Sequence, residues 1–316
     1  MIDEQAGGLA RSNLDEPGLI RRRSGRGFRY LSASGQPVTD PATLARIKGL
    51  VIPPAWREVW ISPDPDGHIQ AIGTDAAGRR QYRYHDQWRE HRDQLKFDRV
   101  LEFVAALPRI RETVVAHLGG SGLRRDRVLA AAIRLIDLGF FRAGGEEYAA
   151  ENGTYGLATI RREHVVCLKR RRWGGTELLA YRTGAGGHDV TAADINDYLR
   201  EISGGEFTAK DFRTWNATVL AAVGLAVSER ADSDTARKRA IARVIQEVAG
   251  YLGNTPAVAR AAYIDPRVID SYERGVTISR ALGELGASSQ FGELATEGGP
   301  EAAVLRLLRE ARRAGS

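Results

Sequence analysis

The 316 residues carry 43% hydrophobic side chains, enough for real cores, and the length points to two domains. The 46 Lys and Arg against 40 Asp and Glu leave a net charge of +6 and a pI near 9.6, a balance that suits a polyanionic partner such as nucleic acid without requiring one. The one cysteine, Cys167, excludes an intrachain disulfide, no Cys/His cluster has zinc-ligand spacing, and no stretch of about eighteen residues is free of charge, so no metal, no cofactor, no membrane and a reducing cytoplasm are expected.

Residues 1–18 are acidic, carry Gly, Ser and Asp with no periodic pattern, lack the apolar run of a signal peptide, and read as a flexible leader. Residues 19–91 read as a small β-rich domain. GFRYLS, PAWREVWIS, HIQAIGTD and RQYRYH are alternating or aromatic runs, split by turn-forming SGQPVTD, PDPDG and AAGRR, with one helical insert at PATLARIKGL. Arg21 to Arg23 with Arg26, and Lys169 to Arg172, are the sharpest charge runs.

After Trp88 the apolar spacing changes to three and four, so residues 92–316 read as mainly helical. The periodic segments are VLEFVAALPRIRETVVAHL, RRDRVLAAAIRLIDLGFF, TAADINDYLREIS, TAKDFRTWNATVLAAVGLAVSER, DSDTARKRAIARVIQEVAGYLG and PEAAVLRLLREARRA. Thr191 and Thr208 stand as N-caps, and Gly250 or Gly253 as a stop. The fold class is therefore α+β: a small antiparallel sheet followed by a larger helical domain, with no internal repeat.

Four segments of the helical part bear on chemistry. Arg142 lies just before Gly144-Gly145 at the end of a helix, where its simplest role is an arginine stabilised by the helix dipole. Lys210 and Arg213 are three apart, on one face of a helix that starts after Thr208; two cations at that positive end suggest an external anion, or else a bridge to Asp211. In YLGNTPAVARAAYID, Gly253 stops one helix, and Thr255 with Pro256 starts a short one whose last turn holds Tyr263. A tyrosine in that place is more often core than nucleophile. Together, however, these residues suit phosphoryl transfer. A phenol with a pKa near ~10 is a weak nucleophile, and guanidiniums around a phosphate favour the phenolate and disperse the charge of the five-coordinate transition state.

The order of Arg142 in FFRAGGEEYAAENGTYGLATI, Arg213 in KDFRTW, Asn254 in LGNTP and Tyr263 in RAAY resembles the type IB DNA topoisomerases of the small poxvirus-like and bacterial kind. AIGTDAAGRRQYRYH looks like the DNA-contacting sheet motif of that family, and the likeness covers nearly all of residues 20–290. The resemblance implies an enzyme that relaxes supercoiled duplex DNA through a transient 3′-phosphotyrosyl link, without ATP or metal. Tyr263 would be the nucleophile, Arg142 and Arg213 would bind the scissile phosphate, and Asn254 would bond a non-bridging oxygen where viral members use histidine. Lys210 matches a basic position beside the second arginine, and Arg80, Gln81, Tyr82 and Tyr84 match residues that touch DNA in the major groove. Alternation along a strand puts Arg80, Tyr82 and Tyr84 on one surface, which is equally the outer face of an edge strand. The implied partner is double-stranded DNA, held by a monomer that closes as a clamp in the cytoplasmic nucleoid.

The chain departs from the family in one region. Relatives carry a general-acid lysine on a β-hairpin, but here His164 and Val165 run through Val166 and Cys167 straight into Leu168 and Lys169, leaving no residues for it. Loss of a placed acid costs about 10² to 10⁴ in rate, and Lys169 falls in the basic run that relatives place after the hairpin. A DNA-binding remnant with impaired turnover is thus the alternative. A tyrosine recombinase is a third reading; such enzymes share the layout but carry His-x-x-Arg where this chain has Lys210 to Arg213.

Overall fold

The computed structural model describes residues 8–139, 143, 157–159, 178–184, 186–228, 233–286 and 298–314, and the chain divides into two compact units, one ending at Asp98 and one starting at Arg99.

The first unit is built on a five-stranded antiparallel sheet of order β2-β1-β3-β4-β5, formed by β1 (Leu19–Ser24), β2 (Gly27–Leu31), β3 (Arg57–Ile61), β4 (Ile69–Thr74) and β5 (Arg80–Tyr84). Helix α1 (Pro41–Gly49) is the expected insert. The Asp40 carboxylate accepts from the Thr43 amide at 2.8 Å and Pro41 opens the first turn, so the helix starts where its free amides are satisfied. Ile47 of α1 packs with Val59, Ile61 and Ala71 to make the core on one face of the sheet.

The Arg21–Arg23 run, read from sequence only as a cluster of charge, is strand β1. Alternation turns Arg21 inward, where its guanidinium lies over the Phe28 ring and donates to the carbonyls of Ile52, Pro53 and Trp56 at 3.1, 3.0 and 2.8 Å. Burial pushes its pKa below the ordinary value.

The leader expectation fails for the part the structure describes. Ala10 bridges Gly67, the Ser12 amide donates to His68 Nδ1 at 2.8 Å, and the Ser12 hydroxyl bonds both the amide and the carbonyl of Ile69 at 3.0 Å. The Trp60 indole donates to the Glu16 carbonyl at 3.1 Å, and a side chain on Gly18 would lie 2.3 Å from that indole nitrogen. Polar composition suggests disorder, but here it supplies the partners that a strand end and an indole N–H require.

The boundary between the units falls inside α2 (Asp86–Leu118), a 33-residue helix that runs through Pro108. The second unit continues with α3 (Arg125–Gly139), a two-stranded sheet of β6 (Ala180–Thr183) and β7 (Gly186–Asp189), then α4 (Ala192–Ser203), α5 (Ala209–Val227), α6 (Asp234–Leu252), α7 (Pro256–Ala262), α8 (Pro266–Glu273), α9 (Ser279–Gly286) and α10 (Gly299–Ala314). Thr191 and Thr208 do head their helices. Each pairs with the acid three residues on, Thr208 giving its amide and hydroxyl to Asp211 at 2.7 and 3.1 Å. Gly253, at φ 62°, ends α6, while Gly250 stays inside the helix.

Trp215, Tyr198, Phe103 and Phe212 are fully buried at the centre of this unit, with Phe103 edge-on to Phe212 at 4.8 Å. A charged network fastens four helices around them. Arg111 of α2 forks onto Asp137 of α3, at 2.9 Å twice, and onto Glu301 of α10, at 2.7 and 3.1 Å; Glu301 also accepts the Trp215 indole at 2.7 Å. Burial alone would lower the proton affinity of Arg111, but its two carboxylate partners outweigh that and raise it. Among the described residues no helix is long and apolar enough to cross a membrane.

Candidate active site

Helix α5 is the spine of the candidate site. After Lys210 and Asp211 in its first turn, its sequence, AKDFRTWNATVLAAVGLAV, is apolar apart from Arg213, Thr214, Asn216 and Thr218, all buried. Buried polar groups are normally hydrogen-bonded, so each reports a fixed neighbour. Arg213, 4% exposed, donates from Nη2 to the Leu252 carbonyl at 2.8 Å, taking up an end group of α6. Asn216 Nδ2 donates to the Asp137 carbonyl at 2.9 Å, tying α5 to the end of α3. The Thr218 hydroxyl lies 2.8 Å from the Thr214 carbonyl and 3.2 Å from the Tyr263 carbonyl, and accepts the Asp265 amide at 3.1 Å.

Two residues past the carbonyl that holds Arg213, the chain leaves α6 through Gly253 and reaches Asn254, whose amide still bonds Ala249 at 3.0 Å. The Asn254 Nδ2 is buried and finds no hydrogen-bond partner among the described residues. Thr255 then caps α7 and Pro256 opens it, as the sequence indicates. Tyr263 stands one position past the helix, as its C-cap, with its amide on Ala259 at 3.1 Å and its carbonyl on Thr218. It is half-buried, packed against the core on one side, and the Arg213 guanidinium carbon is 5.3 Å from its ring centroid. Asp265, two residues on, is fixed by Arg267, which forks onto it at 2.7 Å.

The structure thus brings Arg213, Tyr263 and the Asn254 segment together, although fifty residues of chain separate the first two. Arg142 lies outside the described residues. Ala143, next along, accepts the Ala158 amide at 2.7 Å, and Asp137, five residues earlier, is bonded by both Arg111 and Arg134. The stretch from His164 to Lys169, where the sequence reading found no hairpin, also lies outside them. Lys210 is exposed at the start of α5 and makes no ion pair among the described residues, and Asp211 is occupied by Thr208 and by Arg99 at 3.8 Å. Arg213 is buried against α6, where the carbonyl of Leu252 is left without a helical partner and a guanidinium can serve it.

In the first unit, Arg80, Tyr82 and Tyr84 share one face of the edge strand β5. Their rings and guanidinium form a stack, with Tyr82 and Tyr84 centroids 6.1 Å apart and Arg80 6.0 Å from the Tyr82 ring. Gln81 faces the other way and donates to Asp75 at 2.9 Å, in the turn before the strand. Among the described residues no group of three His, Cys, Asp or Glu side chains could hold a metal ion.

Sequence reading passed over Thr218, Asn216 and the Arg111–Asp137–Glu301 network. The polar interruptions in an otherwise apolar α5 were the available signal for the first two; Glu301 lies too far along the chain for any local pattern to join it to Arg111.

Comparison with known families agrees with both units. Residues 27–75 match the bacterial DNA topoisomerase IB N-terminal domain, and residues 85–174 and 181–280, more than half the chain, match the catalytic core of eukaryotic DNA topoisomerase I. The DNA topoisomerase 1B of Acanthamoeba polyphaga mimivirus is 29% identical over 294 residues, which cover 81% of this chain and 88% of that protein. The chain belongs to the type IB DNA topoisomerases, isomerases whose substrate is DNA.

Proposed function

We propose that the second unit cleaves and reseals one strand of duplex DNA with Tyr263 as nucleophile. In the forward step the phenol loses its proton to solvent and its oxygen bonds the phosphorus, while the bond from phosphorus to the 5′ oxygen breaks and that oxygen takes up a proton. Reversal reseals the strand, and the phosphotyrosyl bond conserves the energy, so neither ATP nor a metal enters the reaction. Arg213 and Arg142 would neutralise the non-bridging oxygens, and a guanidinium fork suits two of them at once. Asn254 would donate its Nδ2 hydrogens to one, and Lys210, solvated at the head of α5, would meet the adjoining backbone. In the first unit, Arg80, Gln81, Tyr82 and Tyr84 would contact the major groove. The protein would act as a monomer within the nucleoid.

The observation that carries this reading is the Arg213 guanidinium within 5.3 Å of the Tyr263 ring, next to a segment whose Asn254 donor has no partner among the described residues. Core packing explains a tyrosine beside an arginine, but it does not explain an orphaned amide donor two residues past the carbonyl that this arginine bonds, since an unmade buried hydrogen bond costs about 1 to 3 kcal/mol.

The general acid is the open position, because the family's lysine hairpin has no counterpart between Val165 and Leu168. That gap is the ground for the second reading, a DNA-binding remnant with impaired turnover. Plasmid relaxation in EDTA without ATP tests both. Relaxation by the parent chain, abolished in Tyr263→Phe, is the expected result; salt-dependent duplex binding with no relaxation would select the remnant, and strand exchange between two defined sites would revive a recombinase.

A further inference from the structure

The outer face of the first unit's sheet, opposite α1, has a regular composition. Residues directly opposed in an antiparallel pair share a face, so the pairs Ile20↔Leu31, Ile20↔Trp60, Trp60↔Ile72 and Ile72↔Tyr82 define one row across all five strands. Two residues further along, the same face carries Arg29↔Arg22 on β2 and β1, and Arg57↔Thr74↔Arg80 on β3, β4 and β5. Four of the five strands thus place an arginine in a single row, in line with the Arg80 that begins the Tyr82–Tyr84 stack.

Two details set this row apart from a chance run of solvated charge. Arg57 reaches it only through a register shift. Between the Arg57↔Thr74 and Trp60↔Ile72 pairs β3 spends three steps where β4 spends two, and Glu58 takes up the extra residue at φ 51°, the left-handed region that side chains other than Gly rarely adopt. Without that bulge Arg57 would stand on the α1 face. The four arginines are also exposed, and none makes an ion pair among the described residues. By contrast, Arg83 on the opposite face pairs with Asp86 at 3.3 Å and Arg21 is occupied by carbonyls. Arg22 and Arg29 directly opposed repel each other, an arrangement that costs stability unless an anion lies between them. Leader residue Glu16 meets this face at the neighbouring row, through its carbonyl on Trp60.

We infer that Arg22, Arg29 and Arg57 form with Arg80 a transverse phosphate rail, so that the duplex is gripped across the whole width of the sheet and not along β5 alone. Five strands at ~4.8 Å spacing make the row ~19 Å long, more than the ~12 Å width of a major groove. With β5 at the groove, the arginines of β1 and β2 reach the sugar-phosphate backbone beyond it. Phosphate contacts of this kind fix register and carry no sequence preference. The inference rests on reading the outer face as the DNA-contacting one.

Binding of the full-length protein to a duplex oligonucleotide, followed as a function of salt, tests it. Each phosphate contact adds about 0.9 to the slope of log K against log salt. The pair Arg22→Gln with Arg29→Gln is expected to lower that slope by about 1.8, Arg57→Gln by about 0.9, and Arg22→Lys with Arg29→Lys to restore it, with the duplex sequence making no difference. Because Arg22 and Arg29 repel, their Gln variants should melt no lower than the parent, which separates lost contacts from lost folding. An unchanged slope in the double Gln variant, with Arg80→Gln still lowering it, overturns the rail and leaves β5 as the DNA strand. An unchanged slope in all of them overturns the assignment of this face to DNA as well.

Discussion

Thr218 holds the Tyr263 turn from below: its hydroxyl serves the Tyr263 carbonyl and receives the Asp265 amide, so the chain that leaves the proposed nucleophile is fixed to α5. Thr218→Val keeps the shape and removes the hydroxyl, stranding two buried backbone groups at a cost of about 1 to 3 kcal/mol. Displacement of a reacting group by a fraction of an ångström to an ångström costs up to about 100-fold in rate. Plasmid relaxation well below the melting temperature should therefore slow markedly in Thr218→Val and recover in Thr218→Ser; a Val variant as fast as the parent would show that the hydroxyl only braces the fold. At this scale the sequence was legible where a residue type has one local use. Gly253 had to end a helix and Thr255-Pro256 had to begin one, which located Asn254 and Tyr263 between known punctuation. The burial of Arg213 was not legible, because it depends on the Leu252 carbonyl, 39 residues away in the chain.

At the scale of elements, α10 matters through one side chain. Glu301 accepts from Arg111 and from the Trp215 indole, and Trp215 is two residues from Arg213. Glu301→Ala would leave a buried indole N–H unmet and take a carboxylate partner from Arg111. Removing one partner of a buried pair costs about 3 to 5 kcal/mol, and the partial exposure of Arg111 argues for the lower end or below. The urea midpoint should fall accordingly, with Glu301→Gln intermediate; a midpoint within error of the parent would contradict the network's role.

The docked leader gives a pH dependence. Burial lowers the pKa of His68, so protons prefer the undocked or unfolded form, and the Ser12 bond to Nδ1 is favourable above the ordinary imidazole value near 6.5 and lost as pH falls below it. Hydrogen-exchange protection of the Ser12 amide should drop on that side of about pH 6.5 and persist in acid if the assignment is wrong. Long helices were legible from their apolar period, and so was the α1 insert. The short α8 and α9 and the pair β6 and β7 were not, since about two helical turns or four residues of strand offer too few positions for a period to register. Strand β1 was hidden for another reason, as its arginines alternate in environment and not in type.

For the whole molecule, the sheet unit, the helical unit and the family match agree on a type IB topoisomerase. The order of motifs made the family legible across distances that no single segment could span. The roles within the site rest on convergence around one phosphate. The most direct test of that convergence uses a duplex cut near the 3′ end of one strand, so that the short leaving fragment with the freed 5′ hydroxyl can diffuse away and any covalent intermediate is trapped. The account predicts a protein–DNA adduct that maps by peptide mass to Tyr263 through a 3′ phosphate and is absent from Tyr263→Phe. An adduct on another tyrosine, such as Tyr251 or Tyr272, or undiminished adduct in the Phe variant, would contradict it.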